Sequence, residues 1–445
     1  MLNQLSIKNK LLLIILVPFF ILIYFSILNF ITIKKDINSL TDFEKCLNYS
    51  FEIKKLINTL QLERGYSLGY IGSSKTKFKN EMYAQRLITD KLLLEFKKIK
   101  NTIIYQNCPL VVFESLEGIR KKITQESISY EIPLEIYSNI INKYVEVISN
   151  LSSLSTDYEL SQEALSLIHL IKLQEYLGQE RALANQVFTN SDFSAKEYSQ
   201  LKYYENNFKN ELEAFKYTAS KRALKYYNSV IDREKIKNIL DIKNLVYNKI
   251  YKSEIVSKIH SIVGYGGLVH DFKNYLLRGD KIYLDRFLNK YTQFEVQIKK
   301  YKKYKTTKEE LVYLNEVIKV FEKYKQNILK MDYLRNISTH KNIDNFILIN
   351  DKNALYALNI LSSKIVGVDA NTWFKLMTNK INDISSIQKE LYKEIIELKN
   401  KKEENLINDI LIKIFTVFSL MIIVLFISYI IVNTLIKKLK NLKKV

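Results

Sequence analysis

The sequence predicts an all-α protein: long-helix bundles, two of four-helix type, held between two transmembrane helices. Three observations carry this. The 445 residues include only 10 Gly and 3 Pro, too few for the turns that sandwiches, barrels and α/β sheets require. Hydrophobic residues make up 47% of the chain, enough for packed cores and too many for a disordered one. No Gly or Pro falls between Pro18 and Gly65 or after Gly367, so both ends can run as unbroken rods.

The length suits two or three domains. The formal charge of +21 comes from 68 Lys+Arg against 47 Asp+Glu, but only nine of the basic residues are Arg. The lysines are spread along the chain beside much Ile, Asn and Tyr, as in an AT-rich genome. They read as a solvated surface, and nucleic acid is not expected as a partner. Cys46 and Cys108 are too few for a disulfide scaffold. His169, His260 and His340 fit no metal spacing, and no Ser/His/Asp, Cys/His or paired-carboxylate site is present. No metal, cofactor or enzymatic activity is expected.

Residues 11–33 form an apolar run of about 23 residues, long enough for ~30 Å of hydrocarbon and too long for a signal-peptide core. Pro18 within it is tolerable in a membrane helix. Residues 414–432 form a second run free of charge. Lys8 and Lys10 precede the first run, and Lys437, Lys438, Lys440, Lys443 and Lys444 follow the second, which predicts both ends in the cytoplasm. The expected order is a cytoplasmic N-terminus (1–10), a first span (11–33), a helical sensor domain (34–240) and an additional helical segment (241–365). A closing helix (366–413), a second span (414–432) and a cytoplasmic linker (433–445) complete it. The expected location is therefore a cytoplasmic membrane, with the large domain outside the cytoplasm.

Between the rods the pattern predicts helices near 76–104, 109–126, 134–155, 159–190, 194–228, 233–280, 281–304, 307–338 and 341–364. Ser194 with Glu197, and Thr307 with Glu310, have capping-box spacing, and Asp369 is the expected N-cap of the last rod.

An internal repeat carries the chemistry. Setting Arg64 on Arg181 also matches Leu56 with Leu173, Leu60 with Leu177 and Glu63 with Glu180. Ile57, Leu60, Arg64, Ser67 and Ile71 share one helical stripe; Leu170, Leu177, Arg181, Ala184 and Phe188 share another. Each arginine interrupts an apolar face, where an unpaired charge costs several kcal/mol. Its partner is either a carboxylate or a bound anion. Glu63, Glu180 and Asp90 are the carboxylate alternatives, with Glu63 able to reach Arg181 across helices but not its own neighbour. The guanidinium fork also suits a small planar oxyanion such as nitrate, nitrite or a carboxylate. Gly65, Gly69 and Gly72 thin one face, for close helix packing or for a ligand.

The strings Leu60-Gln-Leu-Glu-Arg-Gly-Tyr-Ser67 and Gln85-Arg-Leu-Ile-Thr-Asp90 resemble the opening of the nitrate- and nitrite-sensing (NIT) domain of bacterial receptors. Glu175-Tyr-Leu-Gly-Gln-Glu-Arg-Ala182, with Phe193-Ser194 after it, is similar to that domain's second signature. Trp373-Phe374 with Thr378 and Ile381 resembles its closing helix. Together these cover roughly residues 40–230 and 366–408. The resemblance implies two helical bundles that bind nitrate or nitrite between helices, with Arg64 and Arg181 as the anion ligands. Gln61, Ser67 and Thr378 become supporting donors and Trp373 a wall; ordinary bundle packing also accounts for each.

About 120 residues near 240–365 exceed a minimal domain of this type. They include Gly264-Tyr-Gly-Gly267-Leu-Val-His270-Asp-Phe-Lys273-Asn274-Tyr-Leu-Leu-Arg278-Gly279, in which His270, Asn274 and Arg278 align, with Lys273 beside them. This stripe is either a second anion pocket, for a carboxylate or phosphate, or the polar contact of a helical hairpin. It is no P-loop, lacking the preceding strand and the Lys-Ser/Thr pair.

Ile431-Val-Asn-Thr434-Leu435-Ile-Lys-Lys-Leu439 resembles the first turns of a HAMP linker, with Thr434 where that family has Pro. No methyl-accepting helix, kinase or cyclase follows, so the output is expected from a partner or from a longer form of the receptor, of chemotaxis or histidine-kinase type. A homodimer is expected by analogy. The alternatives are an organic-acid sensor acting through 264–279, and a structural or interaction bundle with its arginines locked in internal ion pairs.

Overall fold

With no breaker but Pro18 in its path, the N-terminal rod forms a single helix, α1 (Ile7–Gly72), of 66 residues or about 100 Å. The computed structural model describes residues 7–100, 108, 114–190, 193–231, 233–304, 306–337, 349–362 and 368–442. Every regular element among them is helical. After α1 come α2 (Lys79–Lys100), α3 (Glu117–Gln125), α4 (Glu131–Ser149) with a 3-10 turn at Asn150–Ser153, α5 (Tyr158–Asn190), α6 (Ala195–Thr218) and α7 (Lys221–Val230). They are followed by α8 (Arg233–Val263), α9 (Leu268–Arg278), α10 (Lys281–Lys302), α11 (Lys308–Ile337), α12 (Lys352–Ser362) and α13 (Ala370–Leu442).

The helix starts follow local chemistry. Ser194 and Glu197 form the reciprocal capping box of α6. Thr307 and Glu310 do the same for α11, at 2.9 and 3.1 Å. The Thr372 amide donates to Asp369 Oδ2 at 2.9 Å, capping α13. Two helices expected to be continuous are broken. The 194–228 stretch divides because Ser220 Oγ accepts the Ala223 amide at 2.9 Å and caps α7. The 233–280 stretch divides at Gly264–Gly267, where Gly266 takes φ +76°, a left-handed turn that favours glycine. The helix expected near 341–364 appears as α12; residues 341–348 and 363–364 lie outside the described residues, as does His340.

Buried residues cover nearly every side of α5, which packs against α1, α4, α6 and α13. Its low amphipathicity reflects this central place rather than a weak helix. Leu47, Ile53, Leu60, Leu170, Leu177, Trp373 and Leu391 belong to this first core. Each such side chain contributes about 2 kcal/mol by leaving water. A second apolar core joins the C-terminal half of α8 to α9–α12, through Val256, Leu268, Phe287, Phe294, Leu314 and Leu358. The two cores meet along α8, whose Val246 and Ile250 lie in the first and Ile255 and Val256 in the second.

Outside the bundles, α1 and α13 each contain a stretch long and apolar enough to cross a membrane, of mean hydropathy 2.3 and 2.9. Only 6% and 0% of these stretches are covered by the rest of the chain. Phe20, Phe25, Phe415 and Phe426 are exposed there. α13 runs on as one helix through Thr434, whose hydroxyl donates to the Ile430 carbonyl at 2.8 Å.

Cys46 and Cys108 are disulfide-bonded across 62 positions, tying the α2–α3 connection to α1. This is one cross-link and not a scaffold, and counting cysteines did not anticipate it. A loop of that length predicts that Cys46→Ser lowers unfolding stability by about 4 kcal/mol. Denaturant unfolding of oxidised chain, reduced chain and the variant measures this.

Glu163 on α5 lies beside Glu394 on α13, whose Oε1 accepts Ser220 Oγ at 2.7 Å. Burial first, then the Glu394 carboxylate, push Glu163 up to about 7 from its ordinary 4.5. A carboxyl raised on folding costs stability as pH climbs from its unfolded value through its folded one, and the full penalty stands above both. Glu163→Gln is therefore expected to raise the melting temperature at pH 8 and to leave it unchanged at pH 4, read by thermal melts.

A buried guanidinium pair as the candidate functional site

Arg64 and Arg181 are 0% and 1% exposed, among the largest fully buried side chains described. The repeat puts them on α1 and α5, and the packing of those helices brings them together. Gly178, on α5, leaves space for Arg64: a Cβ there would lie 3.0 Å from Arg64 Nη2. Gly65 does the same for α13, where a Cβ would sit 2.8 Å from the Phe374 ring and 3.6 Å from Arg181 Nε. Asn185 donates to the Gly65 carbonyl at 3.2 Å and ties α5 to α1 beside the pair.

The two arginines have different partners. Arg64 makes a bidentate ion pair with Glu175, at 2.5 and 3.2 Å, and donates to Ser138 Oγ at 2.8 Å. Glu175 also accepts from Gln61 and Gln179, both at 2.8 Å, which fills its capacity. Arg181 has no carboxylate within ion-pair distance among the described residues. It donates to two neutral acceptors, the Gln61 carbonyl and Thr378 Oγ1, both at 2.9 Å. Its guanidinium lies over the Phe374 ring at 4.6 Å. Burial first, then the Arg64 charge, push Arg181 down to about 9, yet a guanidinium stays protonated at neutral pH. Two buried positive charges therefore share one negative charge.

The carboxylates that sequence reasoning offered to these arginines go elsewhere. Glu63 accepts Arg120 Nε and Nη2 at 2.7 and 2.9 Å and the Tyr137 hydroxyl at 2.6 Å. Burial, then Glu63, push the Tyr137 phenol well up, so it remains a donor. Asp90 takes Arg120 Nη1 at 2.7 Å, and Glu180 pairs with Lys243. Glu63 thus does not cross to Arg181.

Of the supporting residues, Gln61 and Thr378 bond the pair as just described. Ser67, fully buried one turn beyond Arg64, leaves its hydroxyl unpaired. Trp373 packs edge-on against Phe188 at 5.4 Å, and its indole N–H is also unpaired. Arg64 Nε and Arg181 Nε have no acceptor either. Sequence reasoning passed over Glu175, Ser138 and Phe374 as pair contacts, although Glu175 and Phe374 stand inside the quoted strings. A charged residue on a helix that is buried on every side was the available signal.

The second candidate cluster lies on α9. His270, Lys273 and Arg278 are exposed on α9, Asn274 is half-buried, and Arg278 donates to the Tyr283 hydroxyl at 2.8 Å.

Removing Arg120 strands the buried Glu63 carboxylate, so Arg120→Ala should cost about 3–5 kcal/mol in urea unfolding. Glu63→Gln in the same background should recover part of that loss.

Comparison with solved structures finds the NasR transcription antiterminator at 15% identity and a TM-score of 0.38, over 84% of this chain and 83% of that one. Comparison with curated proteins returns no match. Residues 55–255, which carry both arginines of the pair, match the NIT family model, whose description is nitrate and nitrite sensing.

Proposed function

We propose that this chain is a membrane receptor whose guanidinium pair binds nitrate or nitrite and passes the change along α13 to a cytoplasmic signalling module. The observation that carries this is the charge surplus: Arg64 and Arg181 are fully buried, and Glu175 answers only one of them. A planar monoanion balances the second charge and supplies acceptors to donors that lack them. Those donors are Arg64 Nε, Arg181 Nε, Ser67 Oγ and Trp373 Nε1, on the three helices around the pair. Guanidinium and nitrate match as forks in one plane, whereas chloride has no such geometry.

Transmission rests on Thr378, the α13 hydroxyl that accepts from Arg181 Nη1 at 2.9 Å. An anion that draws Arg181 toward Arg64 weakens that contact. α13 is a single helix from this point through its apolar stretch, so a displacement at Thr378 reaches the far end. The ligand must favour the displaced state for this to signal. The flanking lysines put both ends in the cytoplasm, and the Cys46–Cys108 bond suits the oxidising side of a membrane for the bundles. A homodimer follows the arrangement of such receptors.

Full-length protein in nanodiscs tests the reading through thermal melts in nitrate, nitrite and chloride. Nitrate or nitrite should raise the melting point as RT ln(1 + [L]/Kd), about 2.7 kcal/mol at 100 times Kd, and chloride should not. Arg181→Ala should abolish the rise. Glu175→Gln frees Arg64 of its competing carboxylate and should tighten anion binding by about tenfold, or 1.4 kcal/mol. No oxyanion-dependent rise in the wild-type chain would overturn the proposal. Thr378→Val should keep binding and lose the ligand-dependent change in disulfide crosslinking across the second apolar stretch.

A further inference from the structure

A third buried guanidinium lies outside this pair. Arg86 on α2 is 8% exposed, and both its Nε and Nη2 lack a hydrogen-bond acceptor. The nearest carboxylate, Glu63, is 3.9 Å away and already accepts Arg120 twice and Tyr137 once. Asp90, one turn along α2, is engaged by Arg120. The Arg86 guanidinium stacks over Tyr83 at 5.4 Å, a contact that fixes its plane without satisfying its N–H groups.

Arg86 lines an open groove of about 620 Å³ between α2 and α3. Tyr83, Leu93 and Leu116 give the groove apolar surface, and Arg120 and Lys121 add positive charge. Its acidic lining is partly committed, Asp90 to Arg120 and Glu114 to Lys143; Glu117 lies at the α3 start. Glu63 and Arg64 are adjacent on α1 and point about 100° apart, so this groove and the guanidinium pair occupy different faces of that helix.

We propose that the α2–α3 groove is a second ligand site, for a small organic carboxylate. Arg86 Nε and Nη2 are shielded from solvent and reach the carboxylate, as a bidentate pair, by a turn of the Arg86 side chain toward the groove it lines. The organic body lies against Tyr83, Leu93 and Leu116. The size of the groove and the three apolar side chains on its otherwise polar wall favour such a ligand over a bare inorganic anion. A ligand here also touches the Glu63 network, whose helix turn carries Arg64, so the two sites share one rigid element.

The test uses full-length protein in nanodiscs, melted in acetate, succinate and benzoate against chloride at matched ionic strength. At least one carboxylate is expected to raise the melting temperature by about 2–4 °C. Arg86→Gln, which removes the charge, and Ser115→Trp, which fills the exposed groove lining, should each erase that rise. No rise with any of the three carboxylates, a rise that survives Ser115→Trp, or a rise with inorganic phosphate alone overturns the proposal. The nitrate melts read the other site independently. A chain silent to nitrate but responsive to carboxylate, with that response lost in both variants, would sustain this inference and sink the oxyanion reading of the pair.

Discussion

Two guanidiniums buried against one carboxylate set the terms for the rest of the first bundle. A charge in a protein interior is costly unless it is paired and hydrogen-bonded. Arg64 meets that demand through Glu175, Ser138 and the amides that position Glu175. Arg181 meets it only with neutral oxygens and an aromatic face. Gly65 and Gly178 let α13 and α1 come close enough to supply those partners, and a larger residue at either position would push them apart. The bundle thus holds one cation whose Nη groups find neutral acceptors while its Nε and its charge go unanswered among the described residues.

The same constraint links the pair to the long helix. α13 meets α1 and α5 through specific polar contacts below the pair as well as through apolar packing. Lys54 donates to Ser385 Oγ at 3.0 Å, Gln388 to the Leu170 carbonyl at 2.8 Å, and Lys399 to Glu44 at 2.6 Å. Burial, then Lys389, push Lys54 down to about 8, which marks how little water reaches this seam. Contacts of this kind hold one register and are lost together when the helix slides.

The second bundle is organised differently. Its centre is a run of aromatic contacts, from Phe272 through Tyr324 and Phe321 to Phe294 and Tyr291. Ion pairs such as Lys290–Asp271 fasten its turns, and Lys252–Glu310 ties α8 to the start of α11. α8 enters both cores, so the second bundle is joined to the first by a continuous helix rather than by a linker.

Much of this was legible in the residues. The scarcity of Gly and Pro, the two apolar runs and the capping signals at Ser194, Thr307 and Asp369 depend on backbone sterics and local hydrogen bonds. Those act over a few residues, so the sequence by itself determined an all-helical chain, its principal helix starts and its two long rods. The interruption of apolar stripes by Arg64 and Arg181 marked two buried charges for the same reason. Their partners were not legible. Glu175 meets Arg64, Glu63 turns to Arg120 and Tyr137 rather than to Arg181, and Cys46 finds Cys108, because those choices depend on how helices cross. Helical periodicity tells which residues face inward but not which inward residue of another helix stands opposite. Only the tertiary structure decided that Arg181 has no carboxylate partner among the described residues, since an unbalanced charge is a property of the assembled interior.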